Sequence, residues 1–313
     1  MKQIVTLLFA VLSFSCCGRY GEFDYFGLKS PGSSVQLFAP DIVSLKNSND
    51  VSLAISPKGD EVFFSSGGDW PECKIMHLKK VDGQWGRPEL ASFSVDCFTT
   101  EPAFSPDGRF LYYSASKDSS DITQCCIWRV EKIGDQWENP TKVIDFEDPS
   151  VWEFHPSVTK DGTVYFCSWN ARKNVGSIYK STYSNGTYSG PEKVGIPFDA
   201  QSSITNPFID PSGRYIIVSA NQYNGKKDYD SYISHRGKDG SWSSPINMGD
   251  KVNTPGDDNS VDISPDGKFV FIYRQKDVYW TDSKGIVKNT TKCFRNSFAA
   301  KVNAKAGTTD HFK

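Results

Sequence analysis

Apolar residues in this chain come in short runs, and the runs recur in pairs on either side of one kind of turn. Before the turn stand Leu53-Ala54-Ile55, Pro102-Ala103-Phe104, Pro156-Ser157-Val158, Pro207-Phe208-Ile209 and Val261-Asp262-Ile263. After it stand Val62-Phe63-Phe64, Leu111-Tyr112-Tyr113, Tyr165-Phe166-Cys167, Ile216-Ile217-Val218 and Val270-Phe271-Ile272. The turns begin at Ser56, Ser105, Thr159, Asp210 and Ser264, in steps of 49, 54, 51 and 54 residues. Each contains a Gly, which supplies the positive φ that other residues resist, and four of the five carry a Pro, which presets φ. The runs after the turn are apolar at consecutive positions. A strand of that kind is buried on both faces. A fixed period of about 50 residues built from turns and such strands predicts a β-propeller with one blade per repeat.

A third strand follows in each repeat, as in Ile127-Trp128-Arg129-Val130, and then a polar Gly turn. Next comes an aromatic-x-x-Pro element: Trp85 to Pro88, Trp137 to Pro140, Tyr188 to Pro191 and Trp242 to Pro245. Pro suits an outermost strand, whose edge is free. The last repeat lacks the element after Val278-Tyr279-Trp280, whereas Leu37-Phe38-Ala39-Pro40 carries it ahead of the first turn. The N-terminal segment is therefore expected to complete the last blade and close the ring. The expectation is an all-β chain with a single propeller of five four-stranded blades over residues 35–292, six blades being the alternative.

The first residues read differently. Lys2, the apolar run Ile4 to Leu12 and the small residues before Cys16-Cys17 have the plan of a signal peptide over residues 1–17, with an apolar core too short to span a bilayer. Ser13-Phe14-Ser15-Cys16 resembles a bacterial lipobox, with Cys16 or Cys17 as the acceptor of the lipid. Residues 18–34 read as a flexible tether and 293–313 as a loosely ordered tail. Export to a bacterial periplasm or outer membrane follows, with the membrane reached only through a lipid anchor. The net charge of −2, with both signs dispersed, leaves no basic stripe for nucleic acid. A monomer without cofactor or metal is expected.

The repeated Ser-Pro-Asp-Gly-Lys/Arg turn followed by an apolar strand resembles the PD40, or WD40-like, repeat of TolB-type β-propellers. The stretches Phe38-Ala39-Pro40-Asp41-Ile42-Val43-Ser44, Asp161-Gly162-Thr163-Val164-Tyr165-Phe166 and Lys238-Asp239-Gly240-Ser241-Trp242 resemble exported Bacteroidetes-type members. The resemblance spans about 255 residues and implies an exported propeller that binds a protein or another ligand. Departures from the pattern include Thr159-Lys160 for Ser-Pro, and Asp210 and Ser212 where the motif has Ser and Asp.

Strand direction places the Ser-Pro-Asp-Gly turns on one rim and the longer, variable loops on the other. Loops on a rigid scaffold commonly carry function, so the variable rim is the expected site. Two rings of positions on the inner strands point to the channel: Ser52, Glu101, His155, Asn206 and Ser260, and, two residues on, Ala54, Ala103, Ser157, Phe208 and Asp262. Glu101, His155, Asn206 and Asp262 are candidate ligand contacts, with channel water and blade backbone as their alternative partners. Trp70, Trp152, Trp169 and Tyr223 are candidate rim aromatics, and Arg172 and Arg274 candidate partners for an acidic ligand. Trp85, Trp128, Trp137 and Trp242 read as packing residues. The four His show no metal spacing, and no Gly-x-Ser-x-Gly elbow or phosphate loop occurs. The sequence therefore reads as a non-catalytic propeller that binds an envelope protein or glycan. The alternative is a glycoside hydrolase or lyase using channel carboxylates. In an oxidising compartment Cys73 and Cys97 form a candidate disulfide, Cys125-Cys126 a vicinal alternative, and free thiols the third possibility.

Overall fold

The computed structural model describes residues 23–68, 72–116, 122–144, 146, 148 and 150–287. Cys16, Cys17, Trp70, Cys293 and the C-terminal tail lie outside them. The described chain is a β-propeller of five antiparallel blades. From the axis outward, blade 1 is built from Val51–Ile55, Glu61–Ser66 and Lys74–Val81, with Gln84–Trp85 and Glu89–Leu90 sharing the outer position. Blade 2 is Phe98–Phe104, Phe110–Ser116, Cys126–Ile133 and Gln136–Lys142. Blade 3 is Val151–Val158, Val164–Asn170, Val175–Ser181 and Glu192–Lys193, with a small hairpin of Tyr183–Ser184 and Thr187–Tyr188 beside it. Blade 4 is Ser203–Ile209, Tyr215–Asn221, Asp230–His235 and Ile246–Asn247. Blade 5 is Ser260–Ile263, Phe269–Arg274 and Asp277–Asp282, and its outer strand is the N-terminal Gln36–Leu37.

The second strands explain the ring. Val62 and Phe64 pack into the seam with blade 5, while Phe63 between them packs into the seam with blade 2. Leu111 and Tyr113 face blade 1 and Tyr112 faces blade 3. The same alternation recurs in Ile216-Ile217-Val218 and Val270-Phe271-Ile272. Each seam holds a large apolar cluster, so both sides of every second strand are buried. The outer strands pair mostly after their Pro, as at Glu192–Lys193 and Ile246–Asn247, because Pro has no N–H for the ladder. In blade 2 pairing spans Pro140 only through a register shift between Glu138 and Thr141.

The turns hold because a Ser or Asp side chain substitutes for missing backbone partners. Ser105 Oγ accepts the N–H of Phe110 at 2.9 Å and donates to Asp107 at 2.6 Å, and Gly108 has φ +73°. Ser264, Asp266 and Phe269 repeat this in blade 5. The departures keep the bond. In blade 4 the roles are exchanged, Ser212 donating to Asp210, and in blade 1 Asp60 takes the place of the Asp that Lys58 replaces.

Closure occurs where the sequence places it. Gln36 pairs with Trp280 and Leu37 with Tyr279, and Phe38 N–H continues the ladder to Val278 at 2.8 Å. Residues 23–34, read from sequence as part of a tether, are instead docked on the turn rim across the seam between blades 1 and 5. The Tyr25 hydroxyl donates to Asp266 at 2.7 Å, Asp24 accepts Trp85 Nε1–H at 2.9 Å and pairs with Lys80, and the Phe26 ring lies 4.6 Å from Trp85. Aromatic residues at alternate and adjacent positions gave no strand or helix period, so local pattern alone could not show the docking.

The described cysteines, Cys73, Cys97, Cys125, Cys126 and Cys167, are free thiols, the third of the possibilities, and neither candidate bridge among them is formed. Cys73 is buried with its Sγ toward Thr100 Oγ1 at 3.9 Å, whereas Cys97 Sγ points to the Phe93 carbonyl at 3.5 Å, so each thiol has its own local partner. Burial pushes the Cys73 thiol up to about 11, away from thiolate chemistry.

Phe38 is fully buried, with ring contacts to Phe271 at 4.9 Å and Trp280 at 5.1 Å. Phe38→Ala is expected to lower unfolding free energy by about 3–5 kcal/mol. Leu37→Ala, one residue away on the exposed side, should stay within about 0.5 kcal/mol. Urea unfolding of the two variants checks this, and equal effects would show that the strand does not close the core.

Candidate functional site

Four of the five inner strands carry a β-bulge at the same place. Ladder register shifts between Val51 and Leu53, Thr100 and Ala103, Phe154 and Ser157, and Thr205 and Phe208. The bulged residues Ser52, Glu101, His155 and Asn206 all have φ between +50° and +64°. Non-Gly residues in this region are uncommon and cost of order 1 kcal/mol each, so a repeated set marks a local demand of the fold. A bulge leaves an N–H without its ladder partner. Glu101 N–H goes to Ser65 Oγ of the preceding blade at 2.8 Å. His155 N–H goes to Glu101 Oε2 at 2.7 Å and to Ser114 Oγ at 3.0 Å.

These bonds bring part of the first sequence ring together across the axis. His155 Nδ1 lies 3.4 Å from Glu101 Oε1, and its Nε2 lies 3.3 Å from Ser260 Oγ of blade 5. Ser114 Oγ donates to Glu101 Oε2 at 2.8 Å. Asn206 is turned elsewhere, its amide donating to the Asn259 carbonyl. Asp262 joins from the second ring: the Tyr273 hydroxyl, which accepts Leu53 N–H at 2.9 Å, hydrogen-bonds its carboxyl. Burial pushes the Asp262 carboxyl above the usual carboxylate range, against the opposing pull of His155. For His155, burial favours the neutral ring, but the Glu101 hydrogen bond and the charges of Glu101 and Asp262 outweigh it and raise the imidazole pKa.

Above this ring lies an axial cavity of about 380 Å³. Its floor includes Glu101, His155 and Asp262, and all five residues of the second ring line it: Ala54, Ala103, Ser157, Phe208 and Asp262. Phe104 and Phe271 add aromatic wall. Pro57, Pro106, Pro211 and Pro265 surround its mouth, with Phe23 of the N-terminal segment. These are turn residues, so the cavity opens on the Ser-Pro-Asp-Gly rim, opposite to the rim expected to carry function. Pockets of this size with apolar walls and few polar groups suit small ligands.

The variable rim has no comparable gathering among the described residues. Trp169 is half-buried, opposite Trp152 in register, and its ring lies 3.3 Å from where a Cβ on Gly176 would be. Tyr223 is buried against Phe198 and Tyr232. Arg274 is paired with Asp258 at 3.8 Å and lies over the Tyr279 ring, while Arg172 is exposed. The aromatic and basic candidates on this rim are thus spread among packing and solvent. The cavity mouth is not visible to loop length, and its prolines signal turn geometry alone.

The order Ser260–His155–Glu101 has the connectivity of a nucleophile, base and carboxylate. One feature opposes that use: Ser260 is buried and does not line the cavity. The Glu101 carboxylate is also spent, with both oxygens engaged by His155 and one by Ser114. Among the described residues no group of metal-ligating side chains comes together.

No family model matches the chain, and no curated protein matches it. Solved structures with a similar course include TolB from Acinetobacter baumannii, at 15% identity and TM-score 0.48, covering 74% of this chain and 53% of TolB. This chain thus spans about half the length of that protein. A Dyadobacter fermentans protein of unknown function is 14% identical with TM-score 0.49, over 77% of this chain and 79% of the other. A gluconolactonase from Xanthomonas campestris is 9% identical with TM-score 0.44, over 76% and 87%. Such likenesses decide nothing about ligand or activity.

The Glu101–His155 contact has a testable sign. Stabilisation from a raised imidazole is complete below its ordinary value of 6.5 and is lost as pH rises through the higher folded value. In an NMR titration His155 should therefore change charge above 6.5 in the native protein. With Glu101→Gln, burial is left to dominate and the midpoint should fall below 6.5. An unmoved midpoint would show that Glu101 does not hold the imidazolium.

Proposed function

We propose that this chain is a non-catalytic binding propeller that takes a small ligand into its axial cavity from the Ser-Pro-Asp-Gly rim. The observation that carries the reading is the cavity itself: about 380 Å³, lined by all five blades, with aromatic wall from Phe104, Phe208 and Phe271, Glu101, His155 and Asp262 at its floor and polar turn residues at its mouth. The commitment of Glu101 to its neighbours supports binding over hydrolysis. A glycosidase needs two carboxyl groups free to act as acid and as base or nucleophile, and here Asp262 is the carboxyl left to face a ligand. The PD40-type turns and the Lys2 to Cys17 leader support an exported protein of this kind, working in a bacterial envelope. The partner protein or glycan expected on the variable rim has less support than the cavity, since Tyr223 and Arg274 there serve packing.

A ligand-observed NMR screen of small aromatic and aliphatic fragments tests this. Ala103→Trp, which fills the cavity from blade 2, should remove most hits while leaving the unfolding midpoint within a few degrees. Arg172→Ala on the opposite rim should leave them in place. Hits that survive Ala103→Trp and vanish with Arg172→Ala would reverse the assignment of the binding face.

A further inference from the structure

We infer that the cavity is a site for an organic cation, an ammonium group carried on an apolar body, with Asp262 as its counter-charge. This rests on the cavity being the ligand site. Three observations converge on it.

The first is charge. Four carboxyl residues line the cavity, Glu101, Asp210, Asp262 and Asp266, against two permanent cations, Lys160 and Arg214. Three of the four are already engaged. Asp210 pairs with Arg214 at 3.3 Å, Asp266 pairs with Lys268 at 3.4 Å and accepts from Tyr25, and Glu101 holds His155. Asp262 forms no ion pair with Lys or Arg among the described residues, and its charged neighbours are His155, which attracts it, and Glu101, which repels it. Lys160, on the exposed turn of blade 3, and His155 are the remaining cations of the lining, so at the floor Asp262 is the carboxyl that no Lys or Arg answers.

The second is the wall. Phe104, Phe208 and Phe271 line the same cavity as Asp262. Aromatic faces attract a cation through their quadrupole, and a desolvated site strengthens that attraction. They have no comparable attraction for an anion. A carboxylate among aromatic rings is therefore selective for ammonium over both carboxylate and alcohol.

The third is the cost of the empty state. A carboxylate drawn out of water is expensive unless it is paired, and burial acts on the half-buried Asp262 in that sense, against the pull of His155 and the Tyr273 hydroxyl. A bound ammonium removes that cost, so binding and ionisation of Asp262 assist each other. Affinity should then rise with pH as Asp262 ionises, and again as His155, the competing cation beside it, loses its proton above 6.5.

The test uses three probes of one shape: 2-phenylethylammonium, 2-phenylethanol and phenylacetate, titrated by chemical-shift perturbation into the full folded chain. The ammonium should bind at least about tenfold more tightly than the alcohol at neutral pH, and phenylacetate more weakly than either. Asp262→Asn should erase the preference while the alcohol still binds. Phe208→Leu keeps the site apolar but removes one ring, and should reduce the preference about threefold, which provides a second reading if the Asp262 variant folds poorly. If the alcohol binds as well as the ammonium, or phenylacetate binds best, the cation assignment is overturned and the cavity remains a ligand site. If none of the three perturbs cavity resonances, both are overturned.

Discussion

The constraint on which this molecule depends is that every second strand is a wall between two seams. Val62 and Phe64 serve one seam and Phe63 the other, and each later blade repeats the division. A strand used on both faces has no polar side, so it tolerates no solvent at either seam. The ring must therefore close completely, and it does so with residues far apart in sequence: Phe38 from the N-terminus sits between Phe271 and Trp280. The packing of Tyr25 on Phe269 at 4.9 Å extends the same seam to the turn rim. With both faces of the second strands consumed by packing, the inner strands alone have sides left over for anything else.

The inner strands use that freedom through their bulges. A bulge sets two residues against one, bends the strand and releases one N–H. In blades 2 and 3 the released group is captured by a Ser of the preceding blade, Ser65 for Glu101 and Ser114 for His155. The capture ties neighbouring blades together near the axis. It also turns Glu101 and His155 inward far enough for the imidazole to reach Ser260 on the other side. Blade 5 has no register shift, and its Asp262 lines the cavity from a regular strand. The floor is thus assembled from two kinds of backbone, Glu101 and His155 on bulges and Asp262 on a regular strand.

The fold was legible in the sequence because each blade writes the same physics into nearby residues. A turn with Gly at positive φ, an apolar run with no alternation and a Pro at the outer edge are all local signals. The missing outer element after Trp280 even identified the closing strand. The site was legible only in part. Counting back from each turn found the ring positions, and Glu101, His155 and Asp262 do meet. Asn206 shares their position and their bulge, yet its amide is taken by Asn259, a bond that depends on blade-to-blade placement and not on spacing. The spread of the variable-rim candidates has a related reason. Loop length argued for the variable side, but Tyr223 and Arg274 there are consumed by contacts with Phe198, Tyr232 and Asp258, residues whose proximity no period reveals. Likewise the docking of residues 23–34 rests on Trp85 and Asp266, about 60 and 240 positions away.

A ring of near-identical repeats could have produced a symmetric, featureless channel, and the second ring position shows why it did not. The turn residues are held alike in all five blades because their side chains bond within the turn, so the mouth varies little. Two residues earlier, the side chain touches no turn and is free to differ. Ala54 and Ala103 on blades 1 and 2 leave space, Ser157 on blade 3 is small but used by the Ile209 N–H at 2.9 Å, and Phe208 and Asp262 on blades 4 and 5 project into what remains. Volume is made on one side of the axis, and an aromatic face and a carboxyl are presented from the other. A single position per blade is therefore sufficient to convert a repetitive scaffold into a directional pocket, without any long loop and without disturbing a seam.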